Sequence, residues 1–141
     1  MRFYLDSMVW IYLIEGNPQF GTAVQSILSG VRAGGHTLLT SNFLLAEILV
    51  EPVRKKDAFT VASYRRMLVE SSAVEVVPFT AETAVQFAAI RAAHRTSSPD
   101  SLHLALAASG GADVFVTGDG RLTKLSVSGI GRIVDLSFRL P

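Results

Sequence analysis

The amino-acid sequence predicts an α/β domain, a central parallel sheet of four to five strands with helices on both faces. Three observations predict it. Short apolar runs rich in β-branched and aromatic residues alternate with longer helical patterns. Gly, Pro and Asn clusters separate the segments. The 141 residues contain no repeat, linker or low-complexity stretch, so one domain spanning residues 1–141 can bury a sizeable core.

The elements follow in order. Arg2–Leu5 is a short apolar strand, and Ser7 can cap the helix Met8–Glu15, which Gly16-Asn17-Pro18 ends. A second helix, roughly Phe20–Ala33, stops at Gly34-Gly35. Thr37–Thr40 is the second strand. The helix after it is capped by Ser41 or Asn42, carries Glu47 and has Pro52 close behind. Ala58–Ser71 reads as one amphipathic helix, Val74–Val77 as a third strand, and Ala81–His94 as a helix started by Thr80. Ser98-Pro99-Asp100 opens a further helix with a capping serine, a proline at the first position and an acid on the positive dipole end. That helix runs to Ser109 and stops at Gly110-Gly111. Val114–Thr117 is the fourth strand, Gly118-Asp119-Gly120 a turn, and Ile130–Leu136 a last strand at an edge.

Composition excludes several classes of function. There is no cysteine, which rules out disulfides, thiolate metal sites and cysteine nucleophiles. Asp6 breaks the apolar run Phe3–Ile14 and Glu47 breaks Phe43–Val50, so neither is a membrane span, and the start lacks the uninterrupted apolar core of a signal peptide. A soluble cytoplasmic protein is the expectation. At 49% hydrophobic the chain is more apolar than an ordinary soluble domain, which points to surface covered by another subunit or partner. A net charge of +1 decides nothing about nucleic acid. The cations cluster instead, at Arg54-Lys55-Lys56, at Arg65-Arg66, and at Arg91, His94 and Arg95. Each cluster reads either as a phosphate grip or, more simply, as a solvated helix face.

Asp6, Glu47, Asp100 and Asp119 carry the functional argument, because each stands where an apolar strand-like run ends or in the helix pattern that follows. A parallel sheet brings such positions to one edge. Like charges about 4 Å apart at an effective dielectric of about 20 repel by about 4 kcal/mol, so a cluster of them needs protonation or a divalent cation. Each acid also has a structural reading: Asp6 as a cap, Asp100 as a dipole partner, Asp119 as a turn residue. Glu47 is harder to read that way, as the one charge among Phe43, Leu44, Leu45, Ala46, Ile48, Leu49 and Val50.

Four segments resemble the ordered motifs of PIN-domain nucleases: Tyr4-Leu5-Asp6-Ser7, Ser41–Glu47, Pro99–Ala105 and Gly111–Leu122, the last containing Thr117-x-Asp119. Within that family the chain is most similar to the small VapC-type toxins of toxin–antitoxin pairs. The resemblance implies a three-layer α/β/α PIN-like domain. It assigns Asp6, Glu47, Asp100 and Asp119 to metal binding and catalysis, with Ser7, Ser41 and Thr117 as supporting hydroxyls. It further implies Mg²⁺-dependent cleavage of single-stranded or loop RNA, with Mn²⁺ as a substitute, a homodimer, and a cognate antitoxin that shields the pocket. Asp113 precedes its strand and is expected on the side away from the site.

Oxygen-only sites select hard cations, and on this reading Asp6 and Asp100 are the direct ligands, with Glu47 and Asp119 completing the site through waters or a second ion. Arg91, Arg95 and Arg121 are candidates for phosphate contacts. His103, one turn after Asp100, is either a further substrate contact or a satisfied packing histidine. Two other classes compete. An aspartate-based phosphotransfer or phosphatase-like domain expects a second acid near Asp6 and a lysine ending a late strand, whereas Ser7-Met8-Val9 follows Asp6 and Lys124 lies beyond a turn. A catalytically silent PIN interaction module would not need all four acids.

Overall fold

The computed structural model describes residues 1–141. Five parallel strands form one sheet in the order β3-β2-β1-β4-β5: β1 is Arg2–Leu5, β2 Thr37–Thr40, β3 Val74–Val76, β4 Val114–Val116 and β5 Arg132–Val134. β1 therefore lies in the middle. The chain winds outward from β1 through β2 to β3, then returns to the other flank of β1 with β4 and β5. The winding reverses between β1 and β4, and the crevice outside the C-terminal ends of those two strands is where such sheets place ligands.

Six helices cover the two faces: α1 (Ser7–Ile14), α2 (Gly21–Ala33), α3 (Asn42–Arg54), α4 (Ala58–Arg65), α5 (Ala81–Ala93) and α6 (Ser98–Ser109). The strand period of two sorts the core. Phe3, Leu5, Leu38, Val114 and Val116 face Val9, Trp10, Val24, Ile27, Leu44 and Ile48 of α1, α2 and α3. Tyr4, Leu39 and Phe115 point the other way, towards Ile90 of α5 and Leu104, Ala105 and Ala107 of α6. The result is the three-layer arrangement expected for a parallel sheet. No helix is long and apolar enough to cross a membrane.

Five local expectations change. Asp6, not Ser7, is the N-cap of α1, its Oδ1 accepting from the Val9 backbone N–H at 3.1 Å. α6 begins one residue early because Ser97 rather than Ser98 caps it, accepting from Asp100 N at 3.2 Å. α3 passes through Pro52 to Arg54. Proline there removes only the bond owed to the Ile48 carbonyl, and its ring is buried. The helix expected over Ala58–Ser71 ends at Arg65 and continues as a wide π turn, Arg66–Glu70. That turn buries Leu68 and lets its carbonyl accept from the Thr40 hydroxyl at 2.5 Å. The last strand shortens to Arg132–Val134, pinched between a turn closed by Ile130 N to Val127 O and an Asp135 turn closed by Phe138 N.

Candidate acidic site at the sheet edge

Strand register builds the centre of the site. Leu5 pairs with Val116, so the residues that follow them, Asp6 and Thr117, leave the sheet side by side. Asp6 N still donates to Val116 O at 3.0 Å, and Thr117 N to Val134 O at 2.9 Å. The Asp6 carboxylate is thus fixed by its own backbone and by its capping bond, and it is only 8% exposed. Burial pushes its carboxyl above the ordinary aspartate value. The Thr117 hydroxyl and the Val9 N–H offset part of that shift, as does His103, while the negative charge of Asp100 adds to it.

Thr117 also shapes the next turn, since its Oγ1 accepts from Asp119 N at 3.0 Å. Asp119 is turned outward to Arg121, whose backbone N donates to Oδ1 at 2.9 Å and whose Nη2 donates to Oδ2 at 2.7 Å. That guanidinium holds the Asp119 carboxyl below the usual range. Asp100 stands across a cleft of about 280 Å³ from this pair, with Arg95, Thr96 and Ser97 on the same wall. Arg91 is exposed and donates to the Thr96 carbonyl, which makes it a brace of the loop between α5 and α6.

Glu47 reaches the edge from α3. Its Oε1 accepts from His103 Nε2, and the Ser7 hydroxyl favours the ionised form of the same carboxylate. Burial alone would push the Glu47 carboxyl up, but His103 and Ser7 outweigh it and the group lies below its ordinary value. Beyond Glu47 opens a larger cleft of about 590 Å³, walled by Ile11, Ile14, Ile48, Val50 and Tyr64. His103 is 2% exposed and both of its ring nitrogens are engaged, the second by the Tyr4 hydroxyl at 2.9 Å. It is closed off from any substrate and belongs to the packing reading. Ser41 caps α3 through Leu44 N at 3.0 Å and also meets the Tyr4 hydroxyl at 2.9 Å.

The sheet edge therefore gathers Asp6, Asp100, Glu47 and Asp119 with Ser7, Ser41 and Thr117 among them, but not as one ligand sphere. No three His, Asp or Glu side chains converge tightly enough to hold an ion as they are oriented. Two of the four acids have turned to cationic or side-chain N–H partners, Glu47 to His103 and Asp119 to Arg121. Asp6 accepts the capping bond from Val9 N–H but forms no ion pair, nor does Asp100, and the two carboxylates repel each other. A set of carboxylate and hydroxyl oxygens whose buried member has no cationic partner fits a hard divalent cation in chemistry. A metal at this edge requires Asp119 to leave Arg121 or act through water, while Glu47 acts from its place on His103.

Residues outside the site resolve as well. Asp113 Oδ2 accepts from Arg2 N at 2.7 Å at the opposite end of the sheet. Arg54 and Lys55 pair with Glu51, and Arg65 with Glu70, as exposed ion pairs, whereas Lys56 and Arg66 of the same clusters pair with no acid. Lys124 lies in the short turn Leu122–Lys124 and ends no strand. The residue that sequence reasoning passed over is Tyr4. Its hydroxyl is buried in an otherwise apolar strand, and that oddity was the available signal.

Comparison with known proteins bears on this architecture. A family model for the PIN domain matches residues 3–127. A search of curated proteins finds no match. Among solved structures, VapBC2 from Rickettsia felis, bound to a DNA fragment from its promoter, superposes with a TM-score of 0.72 at 18% identity, over 96% of this chain and 98% of that one. DNA-bound VapBC from Salmonella typhimurium gives a TM-score of 0.65 at 22% identity over the same shares of the two chains. A Mycobacterium tuberculosis VapC described as a sarcin–ricin-loop-cleaving toxin gives 0.68 at 18% identity, over 90% of this chain and 97% of that one. At these identities the likeness is one of fold.

Proposed function

This chain belongs to the PIN domain family, and from that premise we propose that it is a metal-dependent endoribonuclease acting on single-stranded or loop RNA, the toxin of a toxin–antitoxin pair. The observation that carries the reading is Asp6, buried without an ion-pair partner at the point where the sheet winding reverses, with Asp100 at the same edge. Burial, with a smaller contribution from Asp100, raises its carboxyl. A buried carboxylate of this kind is costly to a fold that makes no use of it.

Asp6 and Asp100 would hold Mg²⁺ or Mn²⁺, with Glu47 and Asp119 completing the site through waters or a second ion. When bound, the cation supplies an activated water and charge neutralisation for phosphodiester hydrolysis. The rest falls to the chain. Thr117 restrains Asp6 and the Asp119 turn, Ser7 and His103 orient Glu47, and Arg95 and Arg121 flank the cleft where a phosphate can be gripped. The exposed apolar side chains Val50, Val53 and Phe59 lie on or beside the helices that wall the larger cleft. They suit a protein partner that covers the Glu47 side of the site, and Met8, Phe79 and Val85 are further apolar surface for a second copy.

The test is cleavage of a total-RNA preparation by the purified chain with Mg²⁺, with EDTA, and by Asp6→Asn and Asp100→Asn. Discrete fragments that require the metal and both aspartates are expected, with each variant losing at least about 100-fold in rate. Folded variants that cleave as fast as wild type would sink the assignment.

A further inference from the structure

We propose that His103 is the positioning residue of Glu47, held by Tyr4 and Ser41, so that one buried hydrogen-bonded chain sets the geometry of the acidic site across β1, α3 and α6. The proposal rests on the nuclease reading above and adds to it a device that no one of the four acids supplies.

The chain of contacts is complete, and a neutral His103 gives it the following direction. Ser41 Oγ accepts from Leu44 N, which leaves its proton for the Tyr4 hydroxyl oxygen at 2.9 Å. The Tyr4 proton then goes to His103 Nδ1 at 2.9 Å. With Nδ1 accepting, the neutral imidazole carries its proton on Nε2, which donates to Glu47 Oε1. The internal donors and acceptors all have partners, and Glu47 accepts a bond without needing a charged histidine. Ring packing restrains both side chains. Phe43 lies against His103 with centroids 4.8 Å apart, and Tyr4 is stacked on Phe115 at 5.7 Å with the planes 6° apart.

Topology gives this chain its leverage. Tyr4 sits two residues before Asp6 on β1, Ser41 begins the helix that carries Glu47, and His103 lies one turn after Asp100 on α6. Three elements that each present an acid are thus tied together beneath the acids. Glu47 is held through Oε1 by His103, with Ser7 acting on the same carboxylate.

The experiment compares wild type with His103→Leu, His103→Gln and Tyr4→Phe in three measurements. These are Mn²⁺ affinity by titration calorimetry, steady-state RNA cleavage at saturating Mn²⁺, and the thermal midpoint in EDTA. Loss of the donor in His103→Leu is expected to weaken Mn²⁺ binding and to lower kcat, each by about 10- to 100-fold, the usual effect of removing the group that orients a metal ligand. KM for RNA should stay within about twofold, because His103 is closed off from substrate. His103→Gln, whose amide can donate where Nε2 does, should recover most of the loss, and Tyr4→Phe should fall between. A folded His103→Leu with wild-type Mn²⁺ affinity and kcat, or a His103→Gln no better than it, would overturn the positioning role. Should His103→Leu not fold, wild-type Mn²⁺ affinity in Tyr4→Phe would overturn it equally. Wild-type protein that neither binds Mn²⁺ nor cleaves RNA would instead overturn the nuclease reading itself.

Discussion

Asp6 caps α1 with one carboxylate oxygen while the group as a whole sits 8% exposed within the field of Asp100. Asparagine keeps the shape and, through its Oδ1, the capping bond to Val9, but brings no charge. Asp6→Asn is therefore expected to abolish cleavage and to stabilise the fold in EDTA by on the order of 1 kcal/mol at pH 7. The pH dependence has a definite sign. A carboxyl whose folded pKa is raised costs stability when ionised, so the penalty is present at neutral pH. It shrinks as pH falls through the folded value, and is gone below the ordinary aspartate value, where both states are protonated. Thermal midpoints of the two proteins, measured from pH 7 down to pH 3.5 in citrate-free buffer, should converge; parallel curves would show that the buried charge is not the cause. Glu47 was legible from sequence because a lone charge between Phe43 and Val50 has no apolar explanation. His103 was not, because its partners come from β1 and α3 and only the fold brings them together.

Among the elements, sequence reading located the strands and helices and lost accuracy where tertiary contacts override local signals. Ser97 and Ser98 are equal caps on paper, and Ser97 prevails where its own carbonyl also accepts from Ser101, N and Oγ together. Pro52 and the π turn at Arg66–Glu70 both sit in helices that packing extends beyond what propensity favours. The segment leading into β5 shows the same dependence on tertiary contact. A Cβ on Gly131 would stand 2.5 Å from the Asp113 carbonyl oxygen, which is itself fixed by the 2.9 Å bond from Arg132 N. Backbone cannot yield there as a side chain can, and Gly131→Ala is expected to cost about 1–3 kcal/mol in denaturant unfolding. Gly120, between Asp119 and Arg121, has nothing within 4 Å of a Cβ and no positive φ. Gly120→Ala should leave stability within about 0.5 kcal/mol. Equal losses for the two would mean that the β4–β5 approach is looser than the geometry indicates.

Across the whole molecule, 13 lysines and arginines nearly balance 12 aspartates and glutamates, so the site's charge is a local matter placed by topology. Because the winding reverses between β1 and β4, Asp6 and the Asp119 turn emerge beside one another, and α6 brings Asp100 to the same edge. If that edge binds a divalent cation, the fold gains stability from the ligand that relieves its own repulsion. At a free Mg²⁺ concentration about 100 times its Kd, linkage stabilises the native state by about 2.7 kcal/mol. For a domain of this size each kcal/mol moves the thermal midpoint by about 3–5 °C, so wild type should rise by about 10 °C. Asp6→Asn loses the ligand and should barely respond. The order of the two proteins then reverses between conditions: the variant melts higher in EDTA, and wild type melts higher in Mg²⁺. Calorimetric scans of both proteins in both buffers check this directly. A rise of equal size in both would mean that the ion acts elsewhere on the surface, and no rise in either would leave the Asp6–Asp100 repulsion without the ligand proposed for it.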